Sequence, residues 1–296
     1  MRYPRLTPSA LTLSVFLFSA AAGPQLAAQT TIGSAISDYF DHWTDRVVAA
    51  QDSQPKWMTP LATTTPRLEQ EVRWDQFRET LHNGSTVNIY DGGKGLELIP
   101  TEHTELIFTV PSYETRSPLK PVSGLNDWPG ILLKYRLLSE TEDKGNFVVS
   151  LFAEYGLPTG AETLTNKNHV FTPTLAAGKG WGDFDVQGTI GESIPTSDHS
   201  DTGRSILTNL TAQYHIDDVF WPELEMNRTD FVGGERDGRT QTFLTPGIVF
   251  GRFVISGRTK LIVGLGYQTA ISKLYTTGSS TPTFNHNWIL SARLAF

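Results

Sequence analysis

The sequence predicts an all-β fold, an antiparallel transmembrane β-barrel of about twelve strands that follows a short N-terminal segment. Three observations lead to this prediction. From residue 69 onward, apolar and polar residues alternate along successive segments of the chain. The connections between these segments alternate in length, and the last segment ends on an aromatic residue, Phe296. Together these features are typical of barrels in the outer membrane of Gram-negative bacteria.

The alternation is clearest in four segments, at residues 147–155, 183–190, 205–215 and 260–268. Successive side chains of a β-strand point to opposite faces of the sheet, so each segment has one apolar and one polar face. A soluble β-sandwich alternates in the same way. The membrane is favoured because aromatic residues cluster near the predicted strand ends, as expected of interfacial girdles. These residues are Tyr155, Trp181, Tyr214, Phe220, Trp221, Phe250, Tyr267 and Trp288.

Strand positions follow from the alternation and from the turn residues between segments. We predict strands at residues 69–80, 84–99, 103–110, 129–139, 145–156, 168–178, 183–193, 204–215, 219–228, 240–250, 259–270 and 285–296. The longer connections fall at residues 111–128, 157–167, 194–203, 229–239 and 271–284. Shorter connections lie between them, and this order matches the short periplasmic turns and longer outer loops of outer-membrane barrels.

The first 28 residues are predicted to form a cleaved signal peptide. Arg2 and Arg5 supply its basic start, residues 10–23 form an apolar run, and small residues precede Gln29. The run is short for a transmembrane helix. The chain is therefore expected to be exported, with the cell outer membrane as its destination.

Residues 29–68 show a different pattern from the rest of the chain. They are predicted to form a periplasmic N-terminal extension, with one short amphipathic helix over residues 34–50. A stretch rich in proline and threonine follows this helix. Two roles remain open for the extension. It is either a plug in the lumen or a contact for a partner, or else a strap that packs on the rim of the barrel or stays partly disordered.

The composition excludes several classes of protein. The chain has no cysteine, which excludes disulfides and a lipid-modified cysteine anchor. The net charge of -7 and the lack of a basic patch argue against a nucleic-acid partner. Hydrophobic residues make up 39% of the chain and only one long apolar run occurs, which excludes a bundle of membrane-spanning helices.

The polar faces of the strands are predicted to line the lumen of the barrel. A lysine or arginine facing hydrocarbon near the midplane would cost about 2–4 kcal/mol. By this argument the lumen-lining residues are Lys134, Arg136, Glu154, Asp183, Asp185, His215, Glu223, Glu225 and Arg293. Both charge signs are present, with a modest acidic excess. These charges either line a hydrated pore and set its field, or form a salt-bridge network that fills a narrow barrel.

Phe152, Trp221 and Phe243 also fall on inward-facing positions, where they would form an apolar pocket for an aromatic ligand. The alternative is that local strand twist or a bulge turns them toward the lipid. The sequence contains no G-x-S-x-G motif and no metal-ligand spacing of the H-E-x-x-H kind. We therefore expect no enzymatic activity, with no catalytic residue, no cofactor and no metal site.

The C-terminal strand is a predicted recognition element. Every second residue from position 288 to the last residue is apolar: Trp288, Leu290, Ala292, Leu294 and Phe296. A terminal aromatic residue on an amphipathic strand resembles the signal that the outer-membrane assembly machinery reads. The expected partners are this machinery, the lipids of the outer membrane and a small-molecule cargo.

Several short motifs also carry a resemblance to a known family. They include WMTPLATTTPRLEQEVRWDQF at residues 57–77, GLELIP at 95–100, DWPGILLKYRLLS at 127–139, FTPTLAAGKGWGDFDV at 171–186 and WPELEMN at 221–227. In this order they resemble the bacterial outer-membrane family named for the meta-pathway of phenol degradation. The resemblance implies a barrel that passes small, often aromatic or hydrophobic, molecules across the outer membrane. It supplies no catalytic residues.

These observations predict an outer-membrane channel or transport protein for small molecules, with hydrophobic or aromatic compounds as the implied cargo. The alternative is a non-conducting barrel with a structural or surface-interaction role, because the same charged interior would also fill a narrow lumen. An outer-membrane hydrolase is the third and weakest hypothesis, since it needs a serine within reach of a histidine.

Overall fold

A computed structural model describes residues 25–92, 94–118, 121–196, 202–272 and 284–296, with side chains from residue 33 onward. Residues 1–24 of the predicted signal peptide lie outside the described residues. The chain divides into two compact units, one up to His42 and one over Trp43–Phe296. The described part of the first unit is helix α1, Gln25–Asp41. In it, the imidazole Nε2 of His42 lies 3.3 Å from the carboxylate of Asp38.

The second unit contains helix α2, one short 3₁₀ turn and fifteen β-strands. The bounds are α2 Trp43–Asp52, β1 Glu71–Leu81, β2 Thr86–Tyr90, β3 Gly95–Thr101, β4 Thr104–Phe108, β5 Tyr113–Ser117, β6 Val122–Leu125, β7 Trp128–Glu140, β8 Phe147–Leu157, β9 Val170–Trp181, β10 Phe184–Pro195, β11 Arg204–Tyr214, β12 Phe220–Val232, β13 Thr240–Ser256, β14 Thr259–Ala270 and β15 Phe284–Ala295. The 3₁₀ turn covers Gly234–Arg236. Within the described ranges, neither helix has the length and apolar content needed to cross a bilayer.

The strands form one antiparallel sheet that closes where β15 pairs with β1. Three strands of the barrel wall are each broken into two pieces, β2 with β3, β4 with β5 and β6 with β7. The pairings show this. Strand β1 pairs with both β2 and β3. On the next strand of the wall, β5 pairs with β2 and β4 pairs with β3, and on the one after it β6 pairs with β5 and β7 pairs with β4. The wall therefore has 12 strands, which confirms the predicted barrel.

Two elements differ from the sequence prediction. The predicted long loop 111–128 contains strands β5 and β6, which extend the wall on its outer side. These strands have only five and four residues, too short for a clear alternation to be read from the sequence. The single helix predicted over residues 34–50 is two helices, separated at His42.

The two faces of the wall differ as the alternation predicts. On β1, Val72 and Trp74 are 45% and 47% exposed, whereas Arg73 between them is 1% exposed. The same order continues on β10, where Phe184 and Ile190 are exposed and Asp185 and Gln187 are buried. Apolar groups on the outer face suit the hydrocarbon of the membrane, so the buried polar groups must be paired inside the barrel.

Residues 53–70, called the plug below, lie inside the barrel. This position corresponds to the lumen plug, one of the roles that the sequence leaves open for the N-terminal extension. Their side chains at Trp57, Met58, Leu61 and Leu68 are buried, and their main chain bonds to inward-facing residues of many strands. Pro55, Pro60 and Pro66 each remove a backbone donor and restrict the chain to extended or turn conformations, which disfavours a helix here.

Candidate functional site

The plug occupies the end of the barrel at which β1 begins and β15 ends. Turns at residues 141–146, 182–183, 215–219 and 257–258 lie at this end, while the connections 158–169 and 233–239 lie at the other. Short turns and both barrel termini mark the periplasmic end of outer-membrane barrels. The plug therefore fills the periplasmic half of the lumen.

Because the plug is neither helix nor strand, the wall must satisfy its backbone polar groups. Two arginines at the seam between β1 and β15 bind its carbonyl oxygens. Arg73 donates to the Pro60 oxygen at 3.1 Å, and Arg293 donates to the same oxygen at 2.9 Å. Arg73 is also paired with Asp75 at 2.7 Å. The predicted inward position of Arg293 thus serves to hold the plug.

Arg136 and Lys134 of β7 hold the two ends of the plug. Arg136 donates to the oxygen of Ala50 at 2.7 Å and to the hydroxyl of Ser53 at 2.8 Å. Lys134 donates to the oxygen of Arg67 at 3.2 Å and is paired with Glu105 of β4 at 2.9 Å. Both cations are thereby partnered in a position where an unpaired charge would be costly.

Glu223 and Glu225 of β12 accept hydrogen bonds from backbone N–H groups of the plug. Glu223 accepts from the backbone N–H of Leu61 at 3.1 Å. Glu225 accepts from the N–H of Ala62 at 2.8 Å and from the N–H of Thr63 at 2.6 Å. Three consecutive N–H groups therefore end on two acidic side chains, which satisfy main-chain donors that the plug itself leaves unpaired.

The side chain of Leu61 packs into a socket of three wall glycines. A Cβ atom at Gly247, Gly264 or Gly266 would lie 2.6, 2.4 or 2.8 Å from a methyl carbon of Leu61. A side chain at any of these positions would therefore force Leu61 to move. Met58, Trp221, Val249, Ile262 and Ile289 complete the buried apolar cluster around Leu61.

The side chain of Trp57 also packs against a glycine of the wall. A Cβ atom at Gly178 would lie 2.4 Å from its ring, and its indole N–H donates to Asn146 at 2.8 Å. Gln187 of β10 donates to the oxygen of Met58 at 3.0 Å. Two side chains of the plug are thus recognised by shape, while most of the plug is recognised through its main chain.

Toward the outer side of the plug, a ladder of neutral polar side chains runs around the wall. Asn227 of β12 donates to Asn209 of β11 at 3.0 Å and accepts from Gln268 of β14 at 3.1 Å. Thr245 and Asn287, which lie near this level, each have a buried oxygen without a hydrogen-bond partner in the described part of the chain. The described side chains that form this ladder on β11, β12 and β14 are therefore uncharged.

The nine predicted lumen residues have different surroundings. Six of them are buried inside the barrel, namely Lys134, Arg136, Asp185, Glu223, Glu225 and Arg293. All of these except Asp185 form a hydrogen bond with the plug or with Ala50, which precedes it. Asp185 accepts a hydrogen bond from Gln187 at 3.0 Å. Glu154 is half-buried beside a cavity of about 240 Å³ near the outer end of β7, β8 and β9.

Asp183 and His215 do not lie on the inner face of a strand. Asp183 is exposed in the two-residue turn between β9 and β10, because the strand and its alternation begin one residue later. His215 follows the end of β11, stacks on Trp221 with ring centroids 4.8 Å apart, and lies 2.8 Å from the carboxylate of Asp218. Trp221 and Phe152 are buried inside, whereas Phe243 stacks on Phe284 at 4.4 Å.

Sequence reasoning missed several residues that hold the plug. Arg73, Glu105 and Gln187 lie on alternating segments and point inward by the same rule that selected Arg293. The signal that identifies them was therefore present. The glycine socket carried no such signal, because a glycine on an inward face has no side chain that indicates a contact.

Comparisons with known proteins support the fold. No protein-family model and no curated protein matches the chain. Among solved structures, the chain is similar to an outer membrane channel from Pseudomonas putida F1, with a TM-score of 0.52 and 17% identity over 81% of this chain and 100% of that one. The NanC porin follows with a TM-score of 0.46, 9% identity and coverage of 77% and 98%.

At this level of identity the likeness establishes the architecture. The chain is an outer-membrane β-barrel, and its architecture is that of channels and porins. The protein is located in the cell outer membrane, with its plugged half toward the periplasm.

Proposed function

We propose that this protein is an outer-membrane channel for small molecules, and that the plug closes its lumen in the resting state. The observation that carries this proposal is the way in which the wall binds the plug. Most of the contacts are hydrogen bonds between wall side chains and main-chain atoms of the plug. Water is able to replace such bonds one at a time, so the apolar surface exposed on release is limited to the cluster around Leu61 and the contact of Trp57.

The cargo class rests on the resemblance to the phenol meta-pathway family. We infer small aromatic or hydrophobic molecules as cargo, in line with that resemblance. Support from the fold comes from the likeness to an outer membrane channel. In the wall, Phe243 lies opposite Asn227 of the neutral ladder and its ring stacks on Phe284, which suits such a cargo better than an ion.

Single-channel conductance of the refolded protein tests the closed lumen. The mature chain is compared with a variant that lacks residues 29–68. We expect little conductance from the mature chain and steady conductance from the truncated chain, because the truncation removes most of the plug. The heat-dependent mobility of each barrel in gel electrophoresis controls for folding. Steady conductance in both proteins would contradict a resting plug.

A non-conducting structural barrel is the second candidate. The burial of Arg73, Lys134 and Arg293 with their partners favours it, because a fully paired network stabilises a filled lumen. It predicts that neither protein conducts and that neither admits a neutral aromatic probe, such as phenol, into liposomes. Uptake of phenol without ion conductance would instead retain a transport role.

A further inference from the structure

A cavity of about 400 Å³ lies at the periplasmic end of the barrel, between the plug segment and strands β13, β14 and β15. We call it the periplasmic vestibule. It lies on the opposite side of the plug from the neutral ladder. Five cationic side chains line it, Lys56 and Arg67 from the plug and Arg252, Arg258 and Lys260 from the wall.

In the lining of the periplasmic vestibule, five cationic side chains face three acidic side chains. Asp52, Glu69 and Glu71 are the acidic residues in its lining, and Glu69 is already paired with Arg67 at 2.8 Å. Four of the cationic side chains form no ion pair with any residue that the structure describes, namely those of Lys56, Arg252, Arg258 and Lys260. The Nε atom of Arg67, which is only 5% exposed, has no hydrogen-bond partner there either. Such an arrangement attracts an anion.

Arg252 reaches the cavity through a strained backbone. It lies at a bulge in the pairing of β13 with β14, and its φ angle is 60°. A non-glycine residue seldom adopts this φ angle, and strain of this kind occurs at ligand sites. Bulges also redirect side chains. Here the guanidinium group lies 5.3 Å from the ring centre of Trp221 and donates to the oxygens of Lys56 at 2.6 Å and Trp57 at 3.0 Å.

The lining also has an apolar part, formed by Met58, Ile262 and Phe296. An inorganic anion would leave these groups without a partner, whereas an organic anion would cover them. Asp52 and Glu71 oppose a ligand with several negative charges. The lining therefore matches a small molecule with one carboxylate and an apolar body.

We propose that the periplasmic vestibule is a binding site for small organic monocarboxylates. The carboxylate is held by Arg67, Arg252 and the nearby lysines, and the apolar body contacts Met58 and Ile262. Arg252 shares its donors between this ligand and the plug carbonyls at residues 56 and 57, so binding weakens the hold on the plug from the periplasmic side. This last consequence rests on the proposed function, whereas the binding itself does not.

Calorimetric titration of the full chain in detergent micelles tests the site. Benzoate is the probe, benzamide is its neutral isostere, and sulfate is an inorganic anion. We expect saturable binding of benzoate that weakens with salt, weaker binding of sulfate and no binding of benzamide. Equal binding of benzoate and benzamide, or no benzoate binding at millimolar concentration, would overturn the proposal. Equal binding of sulfate would overturn the assignment of an organic ligand.

Charge-removing variants locate the site. Lys56→Gln and Lys260→Gln should each weaken benzoate binding about two- to fivefold. Arg204→Gln removes the same charge at the outer end of β11 and should leave the affinity unchanged. Asp52→Asn removes an opposing charge and should strengthen binding. Equal losses in Lys56→Gln and Arg204→Gln would show a non-specific charge effect and overturn the site. If benzoate binds but the truncated barrel never conducts, the proposed channel fails while the binding site stands.

Discussion

Single residues of the wall decide how the plug is held. Glu225 accepts two consecutive N–H groups of the plug, and Arg73 and Arg293 share one of its carbonyl oxygens. The alternation of the strands predicts that Glu225 and Arg293 face inward. It does not predict their partners, because those partners are backbone atoms of a segment with no period of its own.

The first prediction concerns Glu225. In Glu225→Gln the side chain loses its charge and presents one oxygen where two N–H groups need acceptors. Docking of the plug should weaken by about 1.5–3 kcal/mol. Hydrogen exchange at the amides of Ala62 and Thr63 should accelerate accordingly. Glu192→Gln is the matched control, since Glu192 pairs with Arg204 in an exposed position. Unchanged exchange in Glu225→Gln would contradict the assigned contacts.

The plug is the element that the sequence described least well. Its composition indicated a segment outside the regular strands, and a plug remained one of the open roles. The position inside the barrel could not be read from the sequence, because an extended segment rich in proline and threonine has no periodic face. The strands were predictable for the opposite reason, since lipid on one side and polar partners on the other impose a period of two.

The second prediction concerns movement of the plug. A Cβ atom at Gly264 would lie 3.6 Å from Cγ of Leu61, so cysteines at these two positions lie within reach of a disulfide. The chain has no other cysteine to interfere. Oxidised Leu61→Cys/Gly264→Cys should remain closed under every condition that opens the unmodified barrel, and a reductant should restore opening.

Each single cysteine variant, treated with the same oxidant, serves as the control for the crosslink. Opening of the oxidised double variant, with the disulfide verified by mass spectrometry, would show that cargo passes while Leu61 stays in its socket. That result would require a route that does not displace the plug.

The barrel has an apolar exterior and a polar interior. This inversion of a soluble fold made its class predictable, because polar or small side chains alternate with apolar ones along its strands. The broken strands β2 to β7 were less predictable. Asp91 and Gly95, at φ angles of 59° and 69°, flank the break between β2 and β3, and a local backbone turn of this kind leaves little trace in a hydropathy pattern.

The third prediction tests the membrane-facing surface. Leu210 lies in the middle of β11 and is 46% exposed. Leu210→Arg should destabilise the folded barrel in lipid bilayers by about 2–4 kcal/mol, because the cation then faces hydrocarbon. Urea titration in vesicles measures this change. Leu210→Phe keeps the face apolar and should have a much smaller effect. Equal stability of the two variants would mean that β11 does not contact lipid.

The seam between β1 and β15 has a consequence for the order in which the protein assembles. Arg73 and Arg293 are directly opposite each other in the pairing of these strands, and like charges in that position repel. The Pro60 oxygen lies between them as a shared acceptor. Because the plug precedes β1 in the chain, it is present before the last strand is made. A seated plug therefore lowers the repulsion between these two arginines, so the final strand pairing of ring closure is easier with the segment in place than without it.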